Sequence, residues 1–411
     1  MSTSLAPPSV FQTKSKQAGH PWLAVMSHVD PRFGGLSAAV PKLGLGLANC
    51  GFDVSLAAFC APGEQYAPPG YDAAHLSFWP TSHRRWIESS ELRHSFAEQV
   101  RAAEGVHVHG LWEASTAMAC RTARREHRPY VLSAHGMLEP WALANRRWKK
   151  AVYAALLERA NVSKAACLHA LTLAEAVQYR RFGARNPIAI VPNAVAVPDS
   201  LAPGPFQAAF PAVTGRKIVL FLSRLHPKKG LSLLMDAWLR IWKSYPEAVL
   251  VLAGPDSEAT RALLERRLAA QDASESVLFT GMLDETMKWS AMAAATCFVL
   301  PSFSEGLSMS ALEAMGAGLP VILTQACNMP EASQAGAGWE IATELEPLVL
   351  ALRHVLDRDP DENRATGTRG ARLIASKYSP ARVAEQMAAV YEFARSGVTP
   401  AGLNLDLGAA R

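Results

Sequence analysis

The sequence predicts an α/β protein built from two doubly wound halves, on three observations. Short apolar, β-rich runs alternate with longer helical patterns, the alternation breaks once between Pro198 and Gly215, and it then restarts in the same form. Strands separated by helices build parallel sheets covered on both faces, and such strands read as continuous apolar runs. The 411 residues, 49% hydrophobic and 19% charged, are too many for one core and too balanced to be disordered.

In the first half the expected strands are WLAVM at 22–26, DVSLAAF from 53, VHVHG from 106, YVLSAH from 130, CLHAL from 167 and IAIVP from 188. The stretch PDSLAPGPFQAAFPAVTG then holds four prolines and two glycines without a helical or strand period, and reads as a linker. In the second half KIVLFLS from 217, AVLVLAG from 248, VLFTG from 277, TCFVLP from 296 and PVILT from 320 continue the series. A closing helix is expected near the end, with Ser379 as cap, Pro380 at its first position and a loose tail after Gly397. The expected bounds are 1–200 and 212–376 for the two domains and 378–397 for the closing helix.

Composition excludes several classes. A formal charge of +5 is too small for a protein that coats nucleic acid by neutralising phosphates. Cys50, Cys60, Cys120, Cys167, Cys297 and Cys327 lie far apart with no CxxC pair, and read as reduced core thiols of a cytoplasmic protein. The first twenty residues contain no apolar core of a signal peptide, and no run of 18 apolar residues occurs. No Walker pattern is present and no GxGxxG follows a strand, which disfavours kinase and dehydrogenase readings.

Doubly wound sheets bind ligands at the carboxyl ends of their strands, so residues just after strands matter most. SFSEGLSMSALEAMGAGLPVILT (302–324) places Glu305 in a loop and Glu313 in a helix expected from about Ser308 to Met315. The amides of Gly306, Leu307 and Ser308 lead into that helix, whose positive end suits a phosphate. An acid beside a phosphate site is suited to accept from uncharged hydroxyls, and hydroxyls flanking a diphosphate describe a nucleotide sugar. Taken alone, Glu305 could be a surface acid and Glu313 a solvated helix position. In KIVLFLSRLHPKKG (217–230), Arg224 follows a strand and Lys229 precedes a helix, a spacing able to bracket a diphosphate with a planar fork and a point charge.

In the first half Gly34 and Gly35 follow the first strand, where glycine lets the backbone approach a ligand or simply makes a tight turn. His135 ends a strand and could donate to a sugar hydroxyl or be structural. His107 and His109 alternate on one strand and share a face, for packing or an acceptor pocket. Residues 141–160 form a basic amphipathic pattern with Trp148 among Arg146, Arg147, Lys149 and Lys150, fit for anionic lipid, an acidic acceptor or solvent alone. Asp357, Asp359 and Asp361 follow a helical pattern and not a strand end, and read as a solvated loop.

Together these residues resemble the retaining nucleotide-sugar glycosyltransferases of family four, over nearly the whole chain, with the glutamate pair eight apart as the most specific part. The resemblance implies the GT-B architecture, two facing Rossmann-like domains with an interdomain cleft, the first for the acceptor and the second for the donor. It implies that Glu313 binds the nucleotide ribose, that Glu305 contacts the donor sugar, that Arg224 and Lys229 hold the diphosphate, and that His135 lies beside the sugar. HVHGLWE, AHGMLEPWAL and SRLHPKKGL look most like members that build bacterial exopolysaccharides and lipid-linked glycans. The implied partners are a nucleoside-diphosphate sugar and a glycan or lipid-linked acceptor, on an anionic membrane surface at the cytoplasmic side, with no cofactor and no metal. The family's asparagine, glycine, valine, aspartate run appears here as Asn193, Ala194, Val195 and Ala196, and its threonine and glutamates after the preceding strand are reduced to Thr172 and Glu175. Two other readings stay open, a nucleotide-sugar 2-epimerase of the same architecture and a non-catalytic transferase-like subunit.

Overall fold

The computed structural model describes residues 19–30, 35–60, 65–80, 90–144, 150, 152–256 and 259–407. The chain divides into two compact units, residues 1–194 with 380–411, and residues 195–379. The strands in chain order are β1 (His20–Met26), β2 (Phe52–Cys60), β3 (Leu76–Pro80), β4 (Gly105–His109), β5 (Tyr130–Ser133), β6 (Cys167–Ala170), β7 (Ile188–Ile190), β8 (Lys217–Leu222), β9 (Ala248–Ala253), β10 (Val277–Gly281), β11 (Cys297–Leu300), β12 (Val321–Thr324), β13 (Gly338–Ile341) and β14 (Leu405–Asp406).

Among the described residues the first unit holds one eight-stranded sheet in the order β14-β7-β6-β5-β4-β1-β2-β3, parallel except for β14. The second unit holds a six-stranded sheet in the order β10-β9-β8-β11-β12-β13, parallel throughout. This is the doubly wound α/β fold expected from the alternation of runs. The apolar strands are buried on both faces: Leu23 and Val25 of β1 pack in one core with Val106, Val108 and Leu132. Trp22, Ala24 and Met26 pack in the other, with the helix Pro380–Ser396.

That helix begins at Pro380 as expected, but it belongs to the first unit. Trp22 stacks on its Tyr391 with ring centroids 3.7 Å apart and 6° between planes. Two expectations are corrected by packing. The stretch 198–215 is not an unstructured linker: it carries a helix Gly204–Ala209 and a 3-10 turn Pro211–Val213, and Phe206 is fully buried. The Phe206 amide donates to Ser290 Oγ at 2.9 Å, and Ser290 Oγ donates to Ala202 O at 2.7 Å, fixing the stretch onto the helix Glu285–Ala294. Up to residue 407 the tail is not loose, because β14 pairs with β7 and Arg180 Nε bonds Asp406 Oδ2 at 3.0 Å. No helix among the described residues is long and apolar enough to cross a membrane.

Candidate active site

In each sheet the strand order reverses once, between β8 and β11 in the second unit and between β1 and β4 in the first. Loops leaving neighbouring strands at such a point run to opposite sides and leave a crevice at the carboxyl ends. In the second unit the β8 loop carries Arg224 and Lys229 and the β11 loop carries Glu305. Two contacts bind these loops to each other. The Phe303 amide donates to Lys228 O at 2.8 Å. Gly230, at φ 73°, lies so close to β11 that a Cβ there would fall 1.9 Å from Pro301 O. Only glycine accepts both that conformation and that approach.

Lys229 Nζ donates to Glu305 Oε1 at 2.6 Å, and the two side chains are 14% and 9% exposed. Ser302 Oγ donates to the same oxygen at 2.5 Å, and Asn328 Nδ2 donates to the Glu305 carbonyl at 2.5 Å. Taking a lysine and a glutamate out of water is costly unless they are paired and further hydrogen-bonded, and both conditions are met here. Arg224, two residues beyond β8, is exposed. Three residues after Glu305, Ser308 caps the helix Met309–Gly316, accepting from the Ala311 amide at 3.3 Å. Gly306 and Leu307 thus lead directly into a helix start, where partial positive charge collects.

Glu313 lies within that helix, as expected, and its Oε1 accepts from Lys288 Nζ at 2.7 Å. Lys288 also bonds Glu285 Oε2 at 2.9 Å and lies 5.1 Å from the Trp289 ring centroid. Burial alone would lower the Lys288 ammonium, but Glu313 and Glu285 outweigh it and hold it above its ordinary value. Lys288 was not singled out from sequence, because a lysine in mid-helix reads as solvated until its neighbours in space are known.

The first unit is built differently. His107, His109, His135 and His169 meet where β4, β5 and β6 run side by side. Val191 O can only accept, so His169 Nε2 carries the proton of their 2.7 Å bond. His169 Nδ1 therefore accepts from Ser133 Oγ at 2.6 Å, Ser133 accepts from His107 Nε2 at 2.7 Å, and His107 Nδ1 accepts from Tyr391 OH at 2.9 Å. One carbonyl thus fixes the tautomer of two neutral histidines. Burial, reinforced by the neighbouring imidazoles, drives His107 and His109 well below the usual histidine range. Burial and His169 push His135 down to about 3, and burial pushes His169 down to about 4.

His135 follows β5 at φ 51° and its Nε2 lies 3.0 Å from His109 Nδ1. The structure thus joins two of the sequence-selected histidines and puts His107 in packing. Gly35 opens the helix Gly35–Ala48, while Gly34 lies outside the described residues, as do Arg146, Arg147, Trp148 and Lys149. Lys150 Nζ donates to Ala142 O at 2.5 Å and lies 5.5 Å from the Trp112 ring centroid. The aspartate triplet is engaged internally: Asp359 Oδ1 accepts from the Asp361 amide at 2.7 Å, capping a helix, Asp357 Oδ1 accepts from Tyr245 OH at 2.8 Å, and Asp361 pairs with Arg364.

Comparison with known proteins gives both units relatives. Residues 34–194 match the family model described as glycosyl transferase 4-like domain, and residues 206–372 match that of glycosyl transferases group 1. A phosphatidyl-myo-inositol mannosyltransferase of Mycobacterium leprae is 27% identical over 369 residues, covering 84% of this chain and 87% of that protein. Among solved structures, a sucrose-phosphate synthase from Thermosynechococcus elongatus superposes with a TM-score of 0.74 at 20% identity, over 92% of this chain and all of that one. Anabaena HepE, solved with UDP and glucose, gives a TM-score of 0.72 at 15% identity, over 91% and 99%. With a family match on each unit and this fold over nine-tenths of its length, the chain belongs to the family-four type of glycosyltransferases, of GT-B architecture.

Proposed function

We propose that the chain transfers a hexosyl group from a nucleoside-diphosphate sugar to a glycan or lipid-linked acceptor, with retention of configuration and without a metal or cofactor. The carrying observation is the buried Lys229–Glu305 pair at the strand-order reversal, beside a capped helix start. In this reading Lys229, Arg224 and the amides of Gly306 and Leu307 receive the diphosphate, Glu305 accepts from sugar hydroxyls, and Glu313 accepts from the ribose. The acceptor oxygen forms its bond to the anomeric carbon on the face from which the diphosphate departs. The bond from that carbon to the phosphate oxygen breaks with its electron pair going to the phosphate, and the acceptor proton passes to the same oxygen. Cations and amides already in position stabilise that charge without reorganising, which is where most of the rate gain in such sites arises.

The Anabaena neighbour's complex with UDP and glucose supports the donor class, and the name of the Mycobacterium leprae relative supports a lipid-borne acceptor. Val152 and Leu156, 54% and 72% exposed and two and six residues after the basic run 146–150 in the sequence, support an acceptor held at an anionic membrane surface on the cytoplasmic side, as in exopolysaccharide or lipid-linked glycan assembly. The test is thermal stabilisation by UDP, GDP and ADP, followed by transfer assays with sugars of the stabilising nucleotide in EDTA and NMR assignment of the product anomer. Stabilisation by one nucleotide, EDTA-resistant transfer and retained configuration are expected. No stabilisation by any of the three, or an inverted product, overturns the reading.

A further inference from the structure

The turn after β5 is held in an unusual shape. His135 at φ 51° and Gly136 at φ 77° are successive left-handed residues, a conformation that a residue with a side chain seldom adopts without support. The support comes from a neighbouring strand's loop. Gly136 N–H donates to Glu175 Oε1 at 2.6 Å, and Leu171 N–H donates to Glu175 Oε2 at 2.7 Å. Glu175 is 2% exposed and sits in the first turn of the helix Leu173–Phe182, whose cap Thr172 accepts from the Glu175 amide at 3.2 Å. A glutamate at this helix position ordinarily folds back onto the cap residue's own amide. Here it spans instead from the β6 loop to the β5 loop.

The same device occurs one strand away. Trp112, at φ 67° after β4, donates its amide to Glu158 Oε1 at 2.7 Å, and Glu158 closes a π-helical turn, Ala154–Glu158. Trp112 Nε1 donates to Met137 O at 3.0 Å and ties the two loops together. Strained backbone persists where its surroundings over-determine it, and such sites cluster around function. A turn needed only to reverse the chain would be satisfied by glycine or asparagine at position 135. The histidine there instead brings its ring to His109.

We infer that Glu175 is a positioning residue: it holds the strained turn that sets the His135 ring against His109, and through it the geometry of the sugar transfer, in which the family resemblance places His135 beside the donor sugar. This rests on the transferase reading above. Glu175→Gln sets an amide group against one of two backbone donors and opens the clamp, while Gly136→Ala disfavours the same turn from the other side. The full chain carrying either variant is expected to keep its nucleoside-diphosphate affinity within about twofold, to lose about 10- to 100-fold in kcat with donor KM little changed, and to show displaced His135 and His109 ring nitrogen resonances. Thr172→Ala weakens the same helix start without touching Gly136, and is expected to lower Tm while kcat stays within about twofold. A kcat loss in Thr172→Ala matching that of Glu175→Gln, or unmoved ring resonances in Gly136→Ala, overturns the inference. If Glu175→Gln does not fold, Gly136→Ala alone decides. If the wild-type chain transfers no sugar, the function proposed above falls, while the ring resonances still decide whether Glu175 sets the turn.

Discussion

The two units put similar sheets to opposite electrostatic use. At its strand-order reversal the second unit buries charge in pairs, Lys229 with Glu305 and Lys288 with Glu313. The first unit gathers four titratable rings beside its own reversal and keeps the fully buried ones neutral. Charge held ready suits a partner that brings charge of its own, such as a diphosphate. Neutral donors and acceptors in fixed directions suit uncharged hydroxyls, whose recognition depends on orientation more than attraction.

The largest effects should separate two cations of the same loop. Lys229→Ala leaves Glu305 buried beside Ser302 without its counter-charge, and should lower stability by about 3 kcal/mol in urea denaturation. It should also reduce kcat/KM by about 10²- to 10³-fold. Arg224→Ala should cost a similar share of activity with stability within about 0.5 kcal/mol, because Arg224 is exposed. Transfer near wild-type in either variant breaks the donor assignment, and equal destabilisation of both breaks the contrast between a buried and an exposed cation.

Acid should act on the first unit next. His107, His109, His135 and His169 have folded values far below 6.5, so the unfolded state takes up their protons first. Their stabilisation is present above pH 6.5 and is lost as pH falls toward the folded values. Glu175 works the other way: burial, with Glu139, pushes its carboxyl up to about 7, so its contribution is present below its ordinary value near 4.5 and is lost as pH rises to 7. Four histidine protons outweigh those of the two raised carboxyls, Glu175 and Glu158, leaving a net of roughly two to three between about pH 4.5 and 6.5, or about 3 to 4 kcal/mol of stability lost per pH unit at the steepest. Denaturant midpoints measured from pH 7 to 5 should fall accordingly, and a flat profile would contradict buried, neutral histidines.

Lys288→Met tests the second pair. It removes the cation that holds Glu313 Oε1, so the affinity for the stabilising nucleotide should fall about tenfold, roughly 1.4 kcal/mol, while kcat changes little. Titration calorimetry reads this directly. A kcat loss without an affinity loss would move Lys288 from the nucleoside to the reacting sugar.

The two units also differ in how much the sequence disclosed. The places of Arg224, Lys229, Glu305 and Glu313 were readable because each sits next to a strong apolar strand or in a helix with a visible cap. Their pairing was not readable, since Lys229 meets Glu305 only because β8 lies beside β11, and strand order is not written in spacing. β3, β13 and β14 escaped notice because they lie at sheet edges, where the apolar signal is weak: β13 is only half-buried and β14 has two residues. The stretch 198–215 misled through its prolines, which read as breakers, whereas Pro203 caps a helix, Pro205 lies in its first turn and Pro211 opens a 3-10 turn, positions where proline's fixed φ is compatible. Glu175 and Glu158 act on backbone amides of other strands' loops, a role with no side-chain motif to recognise.

The smallest effect belongs to the end of the hydrogen-bonded chain in the first unit. Tyr391→Phe keeps the ring stacked on Trp22 and removes only the proton donated to His107 Nδ1. A buried acceptor without its donor costs about 1 to 2 kcal/mol, so urea denaturation at pH 7.5 should show a loss of that size with an unchanged m value. The same change should blunt the acid response. His107 Nδ1, no longer occupied, becomes open to a proton in the folded state, so the folded protein competes better for it and the pH dependence below 6.5 should become shallower by a fraction of one proton. If the loss at pH 7.5 appears but the slope stays at its wild-type value, the Tyr391 hydroxyl does not donate to His107 Nδ1, and the order of donors running from Tyr391 to Val191 is wrong at its first step.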